Sequence, residues 1–195
     1  MAAQVMERAQ ETYVDPAFAR VLFSTTRFAW LWAILRVWLG YRWLESGLAK
    51  LGNPAWTGTG AALKGFWERA VQVPPPPGRP PIAFDWYRGF IQYLLDTQSY
   101  TWFAKLVAYG EVLVGVALVL GAFVGVAAFF GGFMNWNFMM AGTASTNPVL
   151  FTLAILLILA WKVAGYYGVD RVLLPAIGTP WRPGKVFAGR LRTSP

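Results

Sequence analysis

Polar residues are spaced so widely along this chain that long stretches between them read as apolar helices. From Phe28 to about Leu51 runs an aromatic-rich helix interrupted by Arg36, Arg42 and Glu45. Leu106 to Ala141 is almost continuous apolar sequence, marked only by Glu111, Asn135 and Asn137. A single crossing of a bilayer takes roughly 20 residues, so this run predicts two helices, with the turn at Gly121-Ala122-Phe123. A short polar loop (142–147) leads to a fourth apolar run from Pro148 to about Tyr167, where Asn147-Pro148 reads as an N-cap and first-turn proline. The segment 52–100 is different. Its prolines (Pro74 to Pro77, Pro80, Pro81) divide it into two amphipathic pieces near 59–72 and 84–96, each too short and charged to span. Asp15-Pro16 suits the start of a short interfacial helix. The pattern predicts one domain over 1–195: an all-α membrane protein, a four-transmembrane-helix bundle with spans at 28–51, 101–121, 123–142 and 148–167. Interfacial amphipathic helices sit in its long outer loop.

Composition supports the bilayer as solvent. Of 195 residues, 56% are hydrophobic, 13% are charged and 17% are aromatic, more apolar surface than a soluble domain of this size can hide. The loop aromatics Trp56, Trp67, Phe84, Trp86, Tyr87 and Phe90 are expected to lay their helices on the outer leaflet. Residues 1–22 carry Glu7, Arg8, Glu11, Asp15 and Arg20 with no apolar central run, so no secretory signal is expected there. Lys and Arg are richer on the side of the two termini once the long loop is discounted, which predicts a cytoplasmic N-terminal segment (1–27), a cytoplasmic basic tail (168–195), and the plasma membrane as location. Lys162 and that tail would engage anionic headgroups.

Histidine and cysteine are both absent. That removes disulfides, thiolate nucleophiles, Ser-His and Cys-His catalysis, and any metal, haem or iron–sulfur cluster ligated by Cys or His. The net charge of +8 points to anionic lipid and small anions as partners, not nucleic acid.

Charge inside a membrane is expensive and therefore informative. Arg36, Gly40, Trp43, Gly47 and Lys50 share one helical face. So do Ala104, Ala108, Glu111 and Gly115, and so do Gly131, Asn135 and Met139. Asn137 lies about 200° from Asn135 at 100° per residue, so the two cannot enter one pocket. Counting rise from the helix ends puts Arg36, Glu111 and Asn135 at a common depth. Two readings of an Arg36–Glu111 pair stay open. One is a structural tether between helices; in the other, Arg36 binds an anion or quinone oxygen and Glu111 exchanges protons. Lys50 is either a snorkelling anchor or a funnel for anions.

At this point the chain resembles the DoxX family of small membrane proteins, which includes the DoxD-type subunit of thiosulfate:quinone oxidoreductase. The resemblance rests on Arg36-Val-Trp-Leu-Gly-Tyr-Arg-Trp-Leu-Glu-Ser-Gly-Leu-Ala-Lys-Leu51, on Glu111 with its downstream glycines, on Met134 to Gly142, and on Gly165-Tyr-Tyr-Gly-Val-Asp-Arg171. It implies four membrane helices and, for some members, electron transfer from thiosulfate to quinone; a DoxA-type partner domain is not expected within this chain. On that reading Lys50 and Arg42 attract the anion, and Arg36 with Asn135 or Asn137 holds substrate or quinone oxygens. Glu111 relays protons, Trp43 forms an aromatic wall, and quinone is a bound substrate. The alternative is a non-catalytic membrane subunit or scaffold that docks a redox partner protein.

Overall fold

The computed structural model describes residues 15–179 and 182–188. Glu7, Arg8 and Glu11, and the tail residues Arg190 and Arg192, lie outside the described residues. Helix α1 (Ala17–Ser24) starts after Pro16, with no side-chain cap from Asp15. A turn of 3-10 helix (Thr26–Phe28) leads into α2 (Ala29–Leu51). The polar segment then folds as α3 (Pro54–Thr57), α4 (Ala61–Ala70) and α5 (Asp85–Asp96). Helix α6 (Tyr100–Leu120) and helix α7 (Val124–Met140) are the two halves of the long apolar run. Their junction is set by Gly121, whose φ of 68° few residues but glycine adopt cheaply. The Ala122 N–H turns back to the Ala117 carbonyl at 2.9 Å, closing the end of α6. Helices α8 (Asn147–Leu159) and α9 (Trp161–Ala164) follow almost end to end, and α10 (Asp170–Ile177) leads to a two-residue hairpin (β1, Gly178–Thr179; β2, Arg182–Pro183) and α11 (Lys185–Ala188). Among the described helices, α6 alone is both long and apolar enough to cross a membrane by length and composition; α8 is apolar but shorter.

Two closely packed pairs carry the fold, α2 against α6 and α7 against α8. Helices α2 and α6 run antiparallel and approach through glycine. A Cβ on Gly40 would lie 2.9 Å from the Gly115 carbonyl oxygen and from the Val119 nitrogen, and one on Gly47 would lie 2.8 Å from the Val112 nitrogen. Backbones this close leave no room for a side chain. Gly40→Val is therefore expected to force the helices apart and cost about 1–3 kcal/mol, read as a lowered midpoint of thermal unfolding by circular dichroism. An unchanged midpoint contradicts the packing.

The main core joins Trp32, Leu39 and Trp43 of α2 to Leu118 of α6, Val124 and Ala128 of α7, and Ala154 and Leu157 of α8. A second core lies under the polar segment, where Leu63, Trp67, Tyr87, Ile91 and Leu94 pack with Ala104 and Ala141. Here the loop aromatics divide. Phe84, Trp86 and Phe90 are exposed, but Trp67 and Tyr87 are buried core residues, correcting for these two the expectation that the loop aromatics lay their helices on the outer leaflet. Large apolar side chains such as Ile34, Leu113, Phe130 and Leu159 cover the outside of the long helices.

Candidate functional site

The expected Arg36–Glu111 pair does not form. Arg36 is buried, and its guanidinium is used by backbone carbonyls: Nε donates to Ala164 (3.0 Å), Nη1 to Leu118 (2.6 Å) and Val119 (2.8 Å), and Nη2 to Tyr167 (2.8 Å). These are carbonyls at the end of α6 and around the end of α9, where a helix's partial negative charge favours a cation; that of Leu118 also accepts from the Gly121 N–H at 3.2 Å. Arg36 and Glu111 do not share a depth, because axial register is set by the glycine contacts. With Gly40 against Gly115, Arg36 lies level with Val119, roughly 12 Å along the helix from Glu111 at 1.5 Å per residue.

The same turn has a complementary anion. Asp170 is buried, and its carboxylate accepts from the backbone N–H groups of Phe123 (2.6 Å) and Val124 (2.9 Å), capping the start of α7 from α10. The Val169 and Asp170 N–H groups donate to the Leu120 and Gly121 carbonyls, so 165–171 is stitched to the α6–α7 turn. This explains physically why Gly165 to Arg171 stands out in the sequence: Gly165 and Gly168 pack against Asp170 and the Arg36 guanidinium, with no space for a side chain.

Glu111 has a different partner. Its carboxylate, 1% exposed, accepts from Lys50 Nζ at 2.7 and 2.9 Å. Lys50 also donates to Ser46 Oγ at 2.7 Å and sits 5.1 Å from the Trp56 ring centre, a cation–π contact. Beside the pair lies a cavity of about 410 Å³ lined by Arg42, Trp43, Ser46, Lys50, Glu111 and Asn135, with Trp56, Arg69 and residues of the loop before α8. Two of its lining residues hold buried polar atoms without a partner: Trp43 Nε1, and both Nδ2 and Oδ1 of Asn135. Leaving such groups unpaired costs about 1–3 kcal/mol each, and both residues that carry them line this cavity.

Of the residues singled out from sequence, Arg42, Trp43, Lys50, Glu111 and Asn135 meet at this cavity, and Arg36 and Asn137 do not line it. Asn137 points the other way. Its Nδ2 donates to the Phe133 carbonyl, and its Oδ1 accepts from the Tyr87 hydroxyl at 3.0 Å, tying α5 to α7. Burial pushes the Tyr87 phenol up to about 12, so it stays a neutral donor at ordinary pH. Sequence reasoning missed Arg69, Ser46 and the hydroxyls before α8 as lining residues. Only position in the fold, not spacing, brings them there. Asn147 also differs: its carboxamide donates to the Thr143 carbonyl at 3.0 Å instead of capping α8. Among the described residues, no cluster of three or more His, Cys, Asp or Glu could hold a metal ion.

Neither a curated protein nor a solved structure matches the chain. The pattern that defines the DoxX family matches residues 31–143, a stretch that contains Arg36, the Lys50–Glu111 pair, Trp43 and Asn135. With more than half of its length inside that match, the chain belongs to the membrane-associated DoxX family.

Proposed function

We propose that this protein is a quinone-linked redox subunit of the plasma membrane, passing electrons from a small anionic sulfur compound such as thiosulfate to quinone. In this reading α2, α6, α7 and α8 with α9 cross the bilayer as a four-helix bundle. The Lys50 end faces outward, and the termini are cytoplasmic. The apolar side chains on the outside of these helices support a lipid environment, since soluble monomers rarely expose contiguous apolar surface on this scale.

One observation carries the chemistry: Trp43 and Asn135, with Nε1 and the carboxamide unpartnered, line one cavity with the Lys50–Glu111 ion pair. A quinone carbonyl accepts from Trp43 Nε1 and Asn135 Nδ2. After reduction its hydroxyl can donate to Asn135 Oδ1, so the same residues suit both oxidation states. Two thiosulfates join through a new S–S bond to give tetrathionate and two electrons; quinone takes those two electrons and two protons to become quinol. Glu111 is the proton carrier at the site and Lys50 the charge that holds it in place. With the reactants held together in a site screened from water, positioning and charge stabilisation supply the catalysis.

Purified protein in non-ionic micelles is expected to bind a short-chain quinone, read by quenching of tryptophan fluorescence, and to convert it to quinol with thiosulfate. Asn135→Leu is expected to weaken quinone binding about tenfold or more, and Glu111→Gln to keep binding but lose turnover. Absence of both quinone binding and quinol formation rejects the reading.

A further inference from the structure

The mouth of this cavity holds an arrangement that the redox scheme above leaves unused. Its cations are not equivalent. Lys50 is neutralised by Glu111 and Arg42 by Glu45, whereas Arg69, on α4, lines the cavity with no ion pair among the described residues. The loop into α8 lines it too, through Thr143, Ser145 and Thr146. Their hydroxyls make no hydrogen bond among the described residues, and α8, 13 residues long, starts without a side-chain cap. The N–H groups of Val149 and Leu150 turn back to the Thr146 carbonyl, so the hydroxyls are the donors this positive helix end presents. Asn135, wholly buried and unpartnered, lines the same cavity.

We infer that the mouth of the cavity is a subsite for a small tetrahedral oxyanion, held by Arg69 and the hydroxyls of Ser145 and Thr146 at the start of α8. A guanidinium presents a planar fork of donors that matches such an anion, and the hydroxyls rotate to meet its remaining oxygens. This deepens the redox proposal and rests on the cavity being a ligand site. It divides that cavity into an oxyanion half at Arg69 and a neutral carbonyl half at Trp43 and Asn135. The same chemistry would recognise a free sulfur oxyanion or the phosphate of a lipid headgroup.

The test is a titration of the full chain in lipid-free non-ionic micelles with sodium sulfate and with thiosulfate. Ionic strength is held constant with chloride, and the intrinsic tryptophan fluorescence, to which Trp43 and Trp56 of the cavity wall contribute, is followed. Both dianions are expected to give a saturable change. Arg69→Ala and Thr146→Val should each raise the midpoint, Arg69→Ala by about tenfold or more; Arg69→Lys should recover part of it, and Arg79→Ala should leave it unchanged. A flat response, or one that Arg69→Ala does not alter, overturns the subsite. Repeating the titration with anionic phospholipid in the micelles identifies the source. Competition assigns the subsite to a headgroup phosphate, and an unmoved midpoint assigns it to a free oxyanion. Quinone quenching in the same samples separates the two proposals. Quinone binding without oxyanion binding removes the subsite alone, and oxyanion binding without quinone binding removes the redox reading alone.

Discussion

Arg36→Met is expected to lower the stability of the folded protein by about 3–5 kcal/mol. Four carbonyls, from Leu118, Val119, Ala164 and Tyr167, converge on this guanidinium. Methionine fills part of the space but offers no donor, so buried helix-end carbonyls lose their partner together with the cation that favours them. Arg36→Lys is expected to recover about half of the loss, because an ammonium brings the charge but not the fork that reaches two helix ends at once. Thermal or denaturant unfolding followed by tryptophan fluorescence gives the ranking. Ligand binding by the fraction that stays folded gives the role. Arg36 is a positioning residue of the fold, so surviving Arg36→Met protein should bind quinone and oxyanion as the parent does. A variant as stable as the parent but unable to bind would move Arg36 into the site.

The second large effect is at the Lys50–Glu111 pair, and its signature is non-additivity. Lys50→Met leaves a carboxylate that is 1% exposed without its counter-charge, an expected cost of about 3–5 kcal/mol. Glu111→Leu is milder, about 1–2 kcal/mol, because the Lys50 side chain, 17% exposed, can swing its ammonium toward water. The double variant Lys50→Met/Glu111→Leu is expected to return close to parental stability, since a buried pair replaced by apolar groups of similar volume is often neutral. A double-mutant cycle should therefore show a coupling of at least about 2 kcal/mol. Costs that simply add would mean that the two groups do not sense each other. The double variant should nevertheless lose quinol formation, which separates what the pair does for the fold from what it does for the chemistry.

Rotation about each helix axis was legible in the sequence, and translation along it was not. Periodicity alone placed Arg36, Gly40, Trp43 and Gly47 on one face, and all four are buried; it also separated Asn135 from Asn137, which point to different partners. Gly121 marked a helix end because a glycine in the left-handed region ends helices in a recognisable way. The register of α2 on α6 depends instead on which glycine meets which backbone, and a shift of two turns moved Arg36 away from Glu111 and brought Lys50 to it. Asp170 was invisible as a cap for a similar reason: it serves a helix that starts 46 residues before it, beyond the reach of any local signature. Hydropathy was equally blind to the loop aromatics, since Trp67 and Trp86 look alike in sequence while one is core and the other surface.

The way Arg36 is satisfied has a consequence for how the protein is made. Its acceptors lie 82, 83, 128 and 131 residues further along the chain, and two of them come after α8. During synthesis, the arginine of the first long helix therefore meets two of its four acceptors with α6 and the other two only when nearly the whole polypeptide has emerged. Assembly is completed by the last apolar segment closing over the first. Chains truncated before Ala164 should then be left with a guanidinium that keeps its α6 partners and lacks the other half of its hydrogen bonds.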